Sequence, residues 1–282
     1  MDKKKKAVRL ALFGCAALIF LIGALCTRGG GHESIQETMR DAVLHTSAKI
    51  DLLGVKTVNP GLVSAFTVTG ILAVFALLVR LLVVPRFQYR PGRFQLLLEQ
   101  AVGMFDSLAK TNSPHRNKFL GAYVFAAGAY IFVGTLFELL GVQAVTTAGT
   151  PISLPAPLSD INGAIALGCL SYGVILSGGI AGNGLRGVGR TLKDFSLPIS
   201  MSFRIFGALL SGALVTELVY HYIHLSFVLP VVVGVLFTLL HALIQAYVLT
   251  MLTALFYGEV SEPPHNTKKT APKQKRRAAA NS

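Results

Sequence analysis

Charge is scarce in this 282-residue chain: Asp, Glu, Lys and Arg make up 14 % of it, hydrophobic residues make up 52 %, and the mean hydropathy is +0.60. That balance excludes an ordinary soluble domain and fits a chain that crosses a membrane several times. Acidic residues are scarcest, 13 against 26 basic ones, which leaves a net charge of +13 at pH 7. The cations sit in short segments between apolar runs rather than over a surface, so they report topology, and no nucleic-acid partner is expected. Cysteine is also rare. Cys15, Cys26 and Cys169 lie within or at the edge of apolar runs, with no Cys or His at metal-ligand spacing and no evident disulfide partner. They read as small helix hydrophobes, and neither a metal nor a cofactor is expected. "LFGC" ahead of Cys15 loosely resembles a lipobox, but the apolar run continues past it.

Long apolar runs are what the chain has. A helical span needs about 20 apolar residues, and the stretches Val8–Cys26, Leu62–Val84, Phe119–Leu140, Ile161–Ile180, Ile199–Tyr220 and Ser226–Tyr257 meet that length. Pro60, Pro85, the Pro151/Pro155/Pro157 group and Pro263–Pro264 punctuate them. Pro91–Lys110 differs, because Gln95, Glu99, Gln100, Asp106 and Ser107 recur among its apolar residues at helical intervals. It reads as an amphipathic helix lying on the cytoplasmic surface. The expected fold class is therefore an all-α membrane protein with about six transmembrane helices and one surface helix.

Orientation follows from the cations. Lys3–Lys6 with Arg9, Arg86/Arg90/Arg93, Arg186/Arg190/Lys193 and Lys268–Arg277 all fall on one side of that arrangement, while residues 141–160 and 221–226 hold no Lys or Arg. Both termini are thus expected in the cytoplasm. Lys3–Lys6 ahead of an apolar stretch also fits a signal peptide, but no small-x-small cleavage site follows Cys26, so a retained first helix is the reading. The organisation expected is 1–60 as an N-terminal helix with an extracytoplasmic loop, 61–262 as the membrane domain, and 263–282 as a basic disordered tail. "GNGLRG" (Gly182–Gly187) matches a dinucleotide-binding pattern, but it follows a membrane helix rather than a strand, and it reads as a flexible turn.

Arg204, Glu217 and His241 are ionisable groups inside spans, and Glu138 lies near the outer end of another. A charge at the bilayer centre costs ~2.5–3.5 kcal/mol on insertion scales, so such residues point to function. Snorkelling to the cytoplasmic face is the plain alternative for Arg204, which lies about 7–8 Å into its helix. An interfacial position would serve Glu217, and an interhelical hydrogen bond would serve His241. At about 100° per residue, Gly207, Ala208 and Ser211 share the Arg204 face, while Glu217 points about 140° away. That small, smooth face lets another helix approach closely and slide past. On the last helix Gly234, Thr238, His241 and Gln245 form one polar stripe. A fixed cation, a carboxylate and an imidazole on adjacent helices suit proton handling.

At these residues the chain resembles subunit a of the F-type rotary ATP synthases. "LPISMSFRIFGALLSGALV" looks like that family's arginine helix, and "HALIQAYVLTMLTALFYGEVSE" like its closing helix. "RPGRFQLLLEQ" and "PLSDIN" are weaker echoes, in the right order. The resemblance implies a static, non-catalytic Fo subunit in a bacterial plasma membrane. Its two long C-terminal helices would pack against a ring of c subunits, with the b subunits and the rest of the F1Fo complex as further partners. It implies that Arg204 faces the ring carboxylates and separates two half-channels, and that Gly207, Ala208 and Ser211 face the rotor. It further implies that Gln245 lies near the arginine and that Asp160 and Asn162 mark the outer mouth. No P-loop is present, so the chain is expected to perform no ATP chemistry of its own.

The chain departs from the family at Ala208, where Asn is frequent, at Ala213, where many members have Glu, at Thr238, where His or Glu is usual, and at Arg190, where Glu occurs. Glu217 and His241, each one turn from Ala213 and Thr238, are expected to replace the missing outer half-channel groups. A Glu/His pair favours H⁺ over Na⁺ as the transported ion. A secondary transporter for an anionic substrate is the alternative, but no internal repeat or matched pair of broken helices supports it.

Overall fold

The computed structural model describes residues 50–52, 56–115, 118–145, 151–221 and 229–263. Within them the chain forms seven α-helices: α1 (Pro60–Leu78), α2 (Arg93–Asn112), α3 (Lys118–Phe137), α4 (Ile161–Asn183), α5 (Leu185–Lys193), α6 (Ser196–His221) and α7 (Leu229–Ser261). Five stretches among the described residues are long and apolar enough to cross a membrane: Pro60–Arg86, Lys118–Leu140, Ile161–Asn183, Ser196–Val215 and Gly234–Ser261. They coincide with the second to sixth of the expected spans, and the chain is a multi-pass helical membrane protein. The first expected span, Val8–Cys26, and the basic tail lie outside the described residues.

Local chemistry sets the helix ends. Asn59 caps α1 by accepting the Gly61 N–H at 3.2 Å, and Pro60 occupies the first turn, where a missing N–H costs nothing. At its other end α1 widens into a π turn over Val79–Val83 and then tightens into a 3-10 turn over Val84–Arg86. Pro85 sits in that transition: its ring cannot donate and would crowd the carbonyl one turn back, so the regular ladder gives way. The expected surface helix is present as α2, packed along α3 and the C-terminal half of α7.

Helix α7 is the hub. It packs against α3, α4 and α6 and also touches α2 and α5. The shared core contains Leu120, Val124 and Ile131 of α3, Ile175 of α4, Met201 and Ile205 of α6, and Leu249 and Tyr257 of α7. Glycines permit the closest approaches. Gly168 of α4 lies against Ser202 and the Pro198 carbonyl of α6, and Gly178 lies against the Tyr257 ring, with no room for a Cβ at either position.

Two features go beyond the all-α expectation. Antiparallel hairpins β1 (Ile50–Leu52) with β2 (Lys56–Val58) and β3 (Gln143–Val145) with β4 (Pro151–Ser153) cap one end of the bundle. Ile50 and Leu154 join a small core there with Val68 and Phe137. Three-residue strands are too short to show a period of two in the sequence. The second feature is α5. The stretch Gly182–Gly187, expected as a flexible turn, is a closed corner: Gly182 and Asn183 end α4, Gly184 turns at φ +59°, and Leu185 opens α5. The positive φ is the conformation that glycine adopts without strain, and Gly187 packs directly on the Gly179 backbone.

Candidate functional site

Helix α6 presents two contrasting faces. Met201, Ser202, Ile205 and Leu209 are buried toward the bundle, whereas Ser200, Phe203, Arg204, Gly207 and Ser211 are exposed on the other side. Arg204 therefore points away from the protein's own core, and among the described residues no carboxylate pairs with it. Gly207 beside it has nothing within 4 Å of where a Cβ would stand, and the Ser211 hydroxyl is satisfied by its own helix, donating to the Ala208 carbonyl at 2.8 Å. Ala208 is only half-buried and turns toward the neighbouring helices. The result is a cation on a shallow, uncluttered surface.

Behind that face lies a small crevice where α3, α6 and α7 meet. Thr135 and Glu138 line it from α3 and its continuation, Ala208, Leu209, Gly212 and Ala213 from α6, and Thr238 and His241 from α7. It thus brings Ala213 and Thr238 together with two ionisable side chains. One of these, His241, was expected. The other, Glu138, had been noted only as lying near a span's outer end, yet it continues the buried face of α3 that runs through Val124, Ile131 and Thr135. Extending that helical spacing one turn would have placed it inward. Glu217 lies on α6 one turn beyond Ala213, with its side chain outside the described atoms.

The His241 ring is held in one orientation. Its Nδ1 is 2.8 Å from the Phe237 carbonyl oxygen, and its ring stacks with that of Phe237 at 5.8 Å between centroids. A carbonyl only accepts, so Nδ1 carries the hydrogen and Nε2 of the neutral ring is left as the basic nitrogen. The next turn of the stripe carries Gln245, 6 % exposed, whose Oε1 has no hydrogen-bond partner among the described residues. An unmet buried acceptor of this kind costs about 1–3 kcal/mol.

Asp160 and Asn162 are elsewhere. Asp160 caps α4, accepting from the Asn162 backbone N–H at 3.0 Å and its side-chain amide at 3.2 Å, and it also accepts from Asn59 Nδ2 at 3.0 Å. These bonds tie the starts of α1 and α4 together, and neither residue lines the crevice. Among the described residues no three of His, Cys, Asp or Glu gather closely enough to hold a metal ion.

A bundle of membrane-spanning helices with a bare cation on one face and ionisable groups in a crevice behind it defines an integral membrane protein of ion transport. The family described as ATP synthase A chain matches residues 188–258, which run from within α5 through α6 to near the end of α7. ATP synthase subunit a of two strains of Cereibacter sphaeroides is in each case 26 % identical over 188 residues, covering 62 % of this chain and 72 % of the relative. Over these residues the chain is similar to the ATP synthase A chain family.

Proposed function

We propose that the chain is the static ion-channel subunit of an Fo sector, in which Arg204 faces a rotating ring of c subunits and separates two half-channels. The exposed Arg204, without a carboxylate partner among the described residues and flanked by Gly207 and Ser211, carries this reading. A guanidinium stays charged at any physiological pH, and placed beside a passing ring carboxylate it lowers that group's pKa by ~1–3 units. The carboxylate releases its proton as it reaches Arg204 and takes one up after leaving it. The same fixed charge blocks direct proton flow between the half-channels, so flow is coupled to rotation and thereby to ATP synthesis elsewhere in the complex.

The crevice of Glu138, Thr135, Thr238 and His241 is proposed as the outer half-channel, with Glu138 supplying the carboxylate that Ala213 lacks and Glu217 continuing the path outward. Gln245 lies within the Arg204–ring region in this reading, and its unmet Oε1 accepts a hydrogen bond from the guanidinium or from water. Gly207 and Ser211 give the ring clearance, while Ala208, expected on that face, turns toward the crevice instead, and Asp160 and Asn162 stand at the outer mouth. The ion is H⁺, favoured over Na⁺ by the imidazole and carboxylate of the crevice. The distribution of Lys and Arg supports both termini in the cytoplasm; the proposed location is a bacterial plasma membrane, with the chain divided as 1–60, 61–262 and 263–282. Assembly with the c-ring, b subunits and the rest of F1Fo follows from the same reading.

ATP-driven acidification of inverted membrane vesicles tests it. With the assembled complex retained, Arg204→Ala is expected to abolish pumping; pumping at the wild-type rate would leave Arg204 a snorkelling residue and remove the basis of the proposal.

A further inference from the structure

The end of α1 carries a second cluster of unpaired cations, away from the crevice. Arg80, Arg86, Arg90 and Arg93 occur within a short segment that joins a membrane-spanning helix to an amphipathic surface helix, and all four are exposed. Arg80 is set inside the apolar run itself, on the π turn, among exposed Leu77, Leu78, Leu81 and Leu82. A fixed cation so placed demands a counter-charge. Among the described residues none pairs with it: α1 contains no acidic residue, and of the two carboxylates of α2, Asp106 pairs with Lys110 and Glu99 accepts from Gln95 Nε2 at 2.7 Å rather than from an arginine.

The segment is also held in shape. The Gln95 side chain clasps the Gln88 backbone from both sides, its Oε1 accepting the Gln88 N–H at 3.1 Å and its Nε2 donating to the Gln88 carbonyl at 3.0 Å. This fixes the linker between Arg86 and Arg93, so the guanidinium groups flank a defined turn rather than a loose loop. Phe87, Tyr89 and Phe94 are exposed around it, and tyrosine is a residue type that settles at the level of lipid headgroups.

We propose that this segment is a binding site for the headgroups of anionic glycerophospholipids. Guanidinium forks pair with phosphate oxygens through two parallel hydrogen bonds. Arg80 reaches from the acyl boundary to the phosphate plane along its aliphatic stem, while Arg86, Arg90 and Arg93 meet phosphates from the aqueous side. Their summed positive charge selects lipids of net negative charge over zwitterionic ones bearing the same phosphate. The site makes no use of the proton path and stands whether or not Arg204 faces a rotor.

The test uses the intact assembled complex, reconstituted in phosphatidylcholine vesicles doped with either photoactivatable phosphatidylglycerol or photoactivatable phosphatidylcholine, with labelled residues mapped by mass spectrometry. Phosphatidylglycerol is expected to label residues 80–94 at least about threefold more than phosphatidylcholine, and the excess to shrink in high salt, which screens exposed charge. In the quadruple variant R80Q/R86Q/R90Q/R93Q labelling should fall to the phosphatidylcholine level, whereas the quadruple Arg→Lys variant should keep part of the excess. Gln95→Leu, which opens the clasp without changing charge, should reduce it. Equal labelling by the two lipids in the wild-type complex would overturn the proposal, and so would the absence of labelling by either, which would mean that another subunit covers the segment. These wild-type arms decide the matter even if the quadruple variants fail to assemble.

Discussion

The two halves of α7 are built differently. From Ala242 to Ser261 a buried residue recurs on every turn, and the end of the helix is fastened by polar bonds. Asn183 Nδ2 donates to the carbonyls of Val260 and Glu262 at 2.9 and 2.8 Å, and His115 Nε2 meets Ser261 Oγ at 2.8 Å. From Leu229 to Leu240 no described residue is fully buried, and Val232, Val235, Leu236, Leu239 and Leu240 are exposed. The ionisable crevice lies at the junction with this loosely covered half. One helix thus serves as an anchor at one end and as a wall of an open polar space at the other. The lesson is positional: packing is tightest at the end of the helix away from the crevice, and it thins where Thr238 and His241 line it.

That contrast is broken most severely from the anchored side. Gly258 lies directly against the Asn112 carbonyl, so Gly258→Val forces backbone apart in a close-packed region. Overpacking of this kind costs roughly 1–3 kcal/mol and occasionally more, and the amount of assembled complex recovered from membranes should fall sharply. Normal recovery would show that the anchor tolerates what its geometry forbids. On the open side the expected outcome is reversed. Glu138→Gln combined with His241→Ala should leave assembly intact and slow ATP-driven acidification by at least about tenfold, within the range contributed by a positioned acid or base. Pumping at the wild-type rate would remove the crevice from the proton path.

Gln245 lies between the two regimes and sharpens the comparison. Gln245→Leu removes a buried acceptor that has no partner among the described residues, so thermal stability of the complex should hold or rise, by up to about 1–3 kcal/mol, while pumping declines. A drop in both would mark Gln245 as structural. A smaller effect is expected of Asn59→Ala, which deletes the bond to Asp160. A hydrogen bond to a charged group is worth about 1.5–3 kcal/mol when well shielded; this one is partly open, so a modest fall in the heat-aggregation midpoint should appear with pumping unchanged. The least effect belongs to Lys110→Ala. Its ion pair with Asp106 is exposed, and pairs of that kind are worth about 0.3–0.5 kcal/mol, so neither readout should move measurably.

The helices were legible in the sequence because bilayer crossing imposes a length and a composition that local patterns cannot disguise. The start of α1 agrees with the Pro60 signal and that of α4 with the span expected from Ile161, and α2 agrees with its mixed polar spacing. The hairpins and α5 were not legible. Three-residue strands carry no usable period, and α5 is a short basic helix whose place depends on glycines packing against glycines across a corner. Arg204 and His241 were picked out because charge inside an apolar run is conspicuous. Glu138 reads only as a residue near the outer end of its span, because its inward direction depends on the helical turn continuing past Phe137.

The bond between His241 Nδ1 and the Phe237 carbonyl has a consequence for traffic. A histidine that relays protons takes one up at one ring nitrogen and gives one away at the other, or turns its ring over between the two events. Here one nitrogen is moored to the backbone four residues earlier and the ring lies flat against Phe237. A proton arriving at Nε2 therefore departs from Nε2. On the proposed proton path the imidazole would then be a berth with a single gangway, holding a charge for a neighbour in the crevice to collect rather than passing it through itself.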